Sequence, residues 1–204
     1  MSDITYTILT PDLCQPVFEL IETCFPTMPP EEQHDIEELE EAAEIFPEGT
    51  IVVLDGDRVV GMGMGFFLNV DFDNLPSKET DLLYTLDESN HDPDADYYYG
   101  SDLAVHPDYR GRGIARQIYN RRKAVAIKHN KKGFAAAAVI PGYADYKHAM
   151  DIHTYMDKVI AGELFDPTVS VQMRNGFRVV KLVHDFFKFP LSDDWCAMTL
   201  WEHG

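Results

Sequence analysis

Positive charge is scarce in this chain. Of 204 residues, 17 are Lys or Arg against 35 Asp or Glu, a formal net charge of −18. A surface this acidic lacks the basic face that neutralises nucleic-acid phosphates, so nucleic acid is excluded as a partner. Cysteine is scarce too. Cys14, Cys24 and Cys196 are an odd number, at spacings that suit neither a disulfide framework nor a zinc site. No apolar run approaches the roughly 20 residues of a membrane span. Met1-Ser2-Asp3-Ile4-Thr5 offers neither the basic start nor the apolar core of a signal peptide. The expectation is a cytoplasmic protein with no membrane partner. His91, Asp92, Asp94 and Asp96 fall at no metal-ligand spacing, and no metal is expected.

The basic residues that do occur are gathered. Nine of the 17, from Arg110 through Arg112, Arg116, Arg121, Arg122, Lys123, Lys128 and Lys131 to Lys132, lie between 110 and 132. There the chain reads as a strand (Tyr97 to Val105), a turn (His106-Pro107-Asp108-Tyr109), a loop (Arg110-Gly111-Arg112-Gly113) and a helix from Ile114. A glycine loop feeding a helix N-terminus brings bare backbone and unpaired N–H groups to one point. The helix dipole adds positive potential there. The combination favours a bound phosphate. No Gly-Lys-Ser/Thr follows, which excludes a Walker loop, and the third glycine of a dinucleotide fingerprint is missing. An acidic chain that concentrates its cations beside such a loop is suited to hold a polyanion.

With 45% hydrophobic residues, the length suits one domain spanning residues 1–204. Ile4 to Leu9 alternates as a strand. Thr10-Pro11-Asp12 starts a helix carrying Leu13, Val17, Leu20, Ile21 and Cys24, and a second, acidic helix is expected over Glu31 to Glu44. Thr50–Leu54 and Val59–Phe67 flank Asp55-Gly56-Asp57-Arg58, a hairpin turn. Gly61, Gly63 and Gly65 bare one face of the second strand, so a helix or a ligand lies against it. The stretch from Leu68 to Asp96 is long and acidic, with a short helix or strand at 82–86. Gly133 to Ile140 forms a buried strand. A helix is expected over Ala144 to Gly162, and another, capped by Asp166-Pro167, runs to about Arg174. Two closing strands span 178–187 and 195–201.

Arg110-Gly111-Arg112-Gly113-Ile114-Ala115 fits the pattern Arg/Gln-x-x-Gly-x-Gly/Ala. Preceded by Leu103-Ala104-Val105-His106-Pro107, it resembles the acyl-CoA-binding motif of the GNAT N-acetyltransferase superfamily. Asn175-Gly176-Phe177 is a second likeness. Gly162 to Pro167, Gln172 to Phe177 and the terminal Leu200-Trp201 are similar to GNAT domains found alone or fused to nitrilase-type carbon–nitrogen hydrolases. The resemblance implies an α+β (α/β) fold with a mixed sheet of about seven strands. In it the fourth and fifth strands splay to admit a pantetheine arm. It implies acetyl-CoA as co-substrate, held by Leu103, Ala104, Val105, Arg110, Gly111, Arg112, Gly113, Ile114, Ala115 and Arg116. The amine of a small acceptor would attack the thioester directly, with the Val105 N–H, near a bulge in the fourth strand, polarising its carbonyl.

The proton-transfer groups are less defined. Many members carry a tyrosine that protonates the departing thiolate where this chain has Gln172. Tyr143 and Tyr146 are substitutes or packing residues. Tyr99, Ser101 and Asp102 are the candidates to relay the acceptor's proton through water. Glu37, Glu38 and Glu41 are candidates to attract an amine. An acyl-CoA-sensing domain and a protein acetyltransferase stay open as alternatives, as does a homodimer.

Overall fold

The computed structural model describes residues 4–29, 33–77, 79, 82 and 91–203. They build a seven-stranded sheet in the order β1-β2-β3-β4-β5-β7-β6. The strands are β1 (Ile4–Ile8), β2 (Ile51–Asp55), β3 (Arg58–Leu68), β4 (Tyr97–Val105), β5 (Gly133–Val139), β6 (Arg178–His184) and β7 (Trp195–Glu202). The helices are α1 (Pro11–Cys24), α2 (Ile36–Ile45), α3 (Ile114–Lys128), α4 (Ile152–Ile160) and α5 (Val169–Arg174). The α+β class and the mixed sheet agree with expectation.

All neighbouring strands pair antiparallel except β4 and β5. Those two run parallel and meet only at Tyr97, Tyr98 and Tyr99 opposite Gly133, Phe134 and Ala135. Beyond Tyr99 they part, as the resemblance implied. The fork rests on a packed base of Tyr98, Tyr119, Phe134 and Phe177.

Two features of β3 and β4 shape the fork. Gly63 pairs with Leu103 and Gly65 with Gly100, so Met64 alone faces Ser101 and Asp102. This is a bulge, and it leaves the Met64 carbonyl to find a partner off the ladder. Arg122 of α3 supplies it, donating Nη2 to that carbonyl and Nε to the Tyr98 hydroxyl at 2.9 Å. Its guanidinium lies 4.7 Å from the Phe134 ring centre. The bare face of β3 is thus covered by a helix. A Cβ on Gly63 would strike Ile118 and one on Gly100 would strike Arg122.

Two helices are shorter than the spacing predicts. Among the described residues α2 starts at Ile36, the expected start at Glu31 lying outside them, because Asp35 accepts from the Glu38 N–H while the Glu38 side chain accepts from the Asp35 N–H. This reciprocal cap ends the helix there. α4 starts at Ile152, capped by Asp151 on the N–H groups of His153 and Thr154. A 3-10 turn at Pro141–Asp145 occupies the start of the stretch expected to be helical. Asp166 caps α5 as expected: Oδ1 accepts from Thr168 and Val169 N–H, and Oδ2 from Gly142 N–H. Most of the helix or strand expected at 82–86 lies outside the described residues.

Candidate active site

A cleft of about 840 Å³ runs from the turn before α3, through the gap between β4 and β5, to the first residues of α2. Its first end is backbone. Gly111 and Gly113 take φ of +75° and +80°, a region costing other L-residues about 1–2 kcal/mol. Gly113 is the N-cap of α3, with no side-chain cap and no acidic residue in the first turn. The leading N–H groups of α3 therefore have no side-chain acceptor from the cap. Nothing lies within 4 Å of a Cβ position on Gly111, and only Arg116, at 3.8 Å, approaches Gly113. The space and donors fit a diphosphate.

Of the expected cofactor residues, Leu103, Ala104, Val105, Arg110, Gly111, Gly113, Ile114 and Ala115 line the cleft. Arg110 is anchored by its Nε on the Val105 carbonyl at 3.1 Å. Arg112 points elsewhere, donating to the Asp108 carbonyl at 2.8 Å with its guanidinium 4.6 Å over the Tyr109 ring. Arg116 is outside the lining. The rest of the basic cluster serves the fold. Lys128 pairs with Glu48, Lys132 with Asp96, and Lys131 donates to the Pro93 and Ala95 carbonyls. The bulge expected near Val105 sits at Ser101–Asp102 instead, where Arg122 can satisfy the stranded carbonyl.

The far end is built from side chains. The bulge directs both Ser101 and Asp102 to the cleft, where His34, Glu38 and Glu79 join them. The cap of α2 fixes Glu38, whose Oε2 accepts from His34 Nδ1 at 3.0 Å. His34 Nε2 stands 3.8 Å from Asp102 Oδ2. Burial alone would lower the His34 pKa, but the Glu38 hydrogen bond and the charges of Asp102, Glu38 and Glu79 outweigh it and raise it to about 9. His34 is therefore a cation at neutral pH. Burial pushes the Asp102 carboxyl up, against the pull of His34 and Arg122. Tyr99 lies behind this wall and donates its hydroxyl to Glu79. Burial and the Glu79 charge hold that phenol well above its ordinary value.

Tyr143 stands apart from the cleft lining among the described residues. Its hydroxyl donates to the Met150 carbonyl at 3.1 Å and its ring packs on Tyr155. Gln172 lines the cleft and accepts at Oε1 from the Thr199 hydroxyl at 2.8 Å. Of Glu37, Glu38 and Glu41, only Glu38 lines it. Sequence reasoning missed His34 and Glu79. The one available signal for His34 was its place just before the Asp35-x-x-Glu38 cap. Among the described residues, no cluster of His, Cys, Asp or Glu is arranged to hold a metal, and no helix is long and apolar enough to cross a membrane.

Known proteins agree with this architecture. The chain is 31% identical over 185 residues to "Probable hydrolase YhcX" of Bacillus subtilis, covering 89% of this chain and 34% of that protein. It therefore spans about a third of that relative's length. "Uncharacterized N-acetyltransferase YkwB" of the same organism is 23% identical, over 92% of this chain and 83% of its own. Among solved structures, the GphF GNAT-like decarboxylase in complex with isobutyryl-CoA superposes with a TM-score of 0.80 at 16% identity, covering 98% of both chains. Residues 14–148 match the model of the Acetyltransferase (GNAT) family, and the chain belongs to that family.

Proposed function

We propose that this chain, acting as one domain over residues 1–204, transfers an acetyl group from acetyl-CoA to the amine of a small acceptor by direct attack. The observation that carries the proposal is the continuity of the cleft. A phosphate-fitting loop opens it, a strand fork forms its middle, and a buried charged pocket closes it. The Gly111–Ala115 backbone and Arg110 hold the diphosphate, and the pantetheine arm lies between β4 and β5. The Ser101 hydroxyl, buried without a hydrogen-bond partner among the described residues, is free to donate to the thioester carbonyl.

An ammonium group enters the far end against Glu38, Glu79 and Asp102. Desolvation strengthens such attractions. The acceptor loses its proton through water to this carboxylate wall. His34, already protonated, orients Asp102 rather than acting as the base. Direct attack fits the nucleophile inventory. Burial raises the thiols of Cys24 and Cys196, and the Ser101 hydroxyl is hydrogen-bonded to no base among the described residues, so none is an activated nucleophile.

Release of CoA thiol from acetyl-CoA across a panel of amines tests this. Amine-dependent release that falls about tenfold to a hundredfold in Asp102→Asn, with acetyl-CoA still bound, supports it. Tight acetyl-CoA binding with no release by any amine, amino acid or peptide points to a sensing domain instead.

A second reading rests on the TM-score of 0.80 to a GNAT-like decarboxylase. Under it the thioester carbonyl, held at the fork, would stabilise the carbanion left when a β-carboxylated acyl-CoA loses carbon dioxide. The carboxylates at the far end disfavour an anionic acyl group. Carbon dioxide release from such a substrate, with no amine present, would select this reading.

A further inference from the structure

Where many relatives carry a tyrosine, this chain has Gln172, and the group that protonates departing CoA must stand elsewhere. We infer that Tyr119 of α3 is this acid, its hydroxyl delivering a proton to the CoA thiolate at the base of the strand fork. The inference rests on the acyltransferase reading above.

The sheet register places it. Tyr99 is the last β4 residue paired with β5, opposite Ala135. The next β5 residue, Ala136, pairs with Thr199. The Thr199 hydroxyl contacts both the Ala136 carbonyl at 3.1 Å and Gln172 Oε1 at 2.8 Å. Gln172 thus stands level with Gly100 and Ser101, the point where the strands separate. A pantetheine arm entering from the α3 end brings its sulfur toward this level. Tyr119 lines the cleft here, with its ring 6.3 Å from Phe134 and 5.4 Å from Phe177. Burial raises its phenol, and a side-chain hydrogen bond from Gln172 works against that rise. Gln172 Oε1 faces the Thr199 hydroxyl, and a hydrogen bond from the Gln172 side chain that lowers the phenol is one the amide N–H₂ donates to its oxygen. The glutamine does not supply a proton. It holds the oxygen that does.

The groups acting on Tyr119 are Arg122 on its own helix and Gln172 on α5, with the rings of Phe134 and Phe177 packed beside it. Burial keeps the phenol protonated at neutral pH, while Arg122 and the Gln172 amide favour the phenolate once the proton has left. The step balances. The C–S bond of the tetrahedral intermediate breaks, its electron pair stays on sulfur, and the Tyr119 proton goes to that sulfur. The first proton of the ammonium leaves through water to the carboxylate wall before attack, and the second, carried on the nitrogen of the intermediate, returns through water to the phenolate. Tyr143 and Tyr146 are not needed.

The test needs no knowledge of the acceptor. CoA is bound to wild type and to Tyr119→Phe, and its thiolate absorbance is followed against pH, with the desulfo-CoA complex subtracted. Loss of a hydrogen bond to the thiolate is expected to raise the bound thiol's pKa by about one unit, a tenfold change in ionisation. CoA affinity should stay within about twofold, and kcat with any active amine should fall about tenfold or more while KM holds. Identical thiol titrations in the two proteins overturn the assignment, as does loss of CoA binding along with turnover, which marks a packing role. Failure of wild type to bind CoA at all is distinct: it removes the acyltransferase reading and this inference with it.

Discussion

On the proposed reading, the two ends of the cleft bind by different means. At the loop end, recognition comes from backbone: two glycines at positive φ, the uncapped first turn of α3, and one anchored arginine. All of it lies within residues 105–115, so it is local in the chain. At the far end, recognition comes from side chains brought together from the approach to α2, the segment before β4 and the β4 bulge. Their protonation is strongly coupled. Backbone sites tolerate side-chain change and fail when the backbone cannot take its shape. Side-chain sites fail one charge at a time. The comparison teaches that a fixed phosphate grip can serve acceptors of many kinds, since the acceptor end can be rebuilt without touching it.

The sharpest way to break this contrast is Gly113→Asp. A Cβ at φ +80° and a carboxylate at the helix N-terminus both oppose the diphosphate. Calorimetry should show acetyl-CoA affinity reduced about a hundredfold or more, with circular dichroism retaining the folded signal. Asp102→Asn comes next. It should cut acceptor kcat/KM by about tenfold to a hundredfold while leaving acetyl-CoA affinity within about twofold, measured by steady-state kinetics and titration.

His34 offers a smaller but diagnostic effect. Its folded pKa of about 9 exceeds its ordinary value of 6.5, so the folded state binds more protons between them. The stabilisation from protonated His34 is full below about pH 6.5. It is lost as pH climbs toward 9. Denaturant melts should show stability falling across that window, and less steeply in Asp102→Asn. Proton NMR of the His34 ring should place its titration near 9 in wild type and lower in the variant.

The smallest pair of effects divides the arginines. Arg110→Ala should weaken acetyl-CoA binding by about threefold to tenfold, more at low salt. Arg112→Ala, whose guanidinium is committed to Asp108 and Tyr109, should change it by less than about twofold. Equal losses at both would show that the loop acts by bulk charge and not by the geometry seen here.

The sequence made the loop end readable because its parts are contiguous: strand, turn, glycines and helix follow in one line. The fork was legible through the resemblance. The far end was not. His34 and Asp102 are 68 positions apart (102 − 34), and only the α2 cap and the β4 bulge bring them together. The bulge itself is invisible in the Tyr97–Val105 pattern, because Arg122, a residue counted among the phosphate-binding cations, is what makes it tenable. The same limit affected the basic cluster at large. Clustering in sequence does not tell that Lys128, Lys131 and Lys132 are spent on Glu48, backbone carbonyls and Asp96. Helix starts at Ile36 and Ile152 were misplaced because periodicity runs past a cap, whereas the backbone hydrogen bonds accepted by Asp35 and Asp151 do not.

The most direct test of the central claim is a calorimetric titration of the full chain with acetyl-CoA. Saturable, one-site binding, weakened for an analogue lacking the diphosphate, is the predicted result. A flat titration, or equal affinity for that analogue, would contradict it.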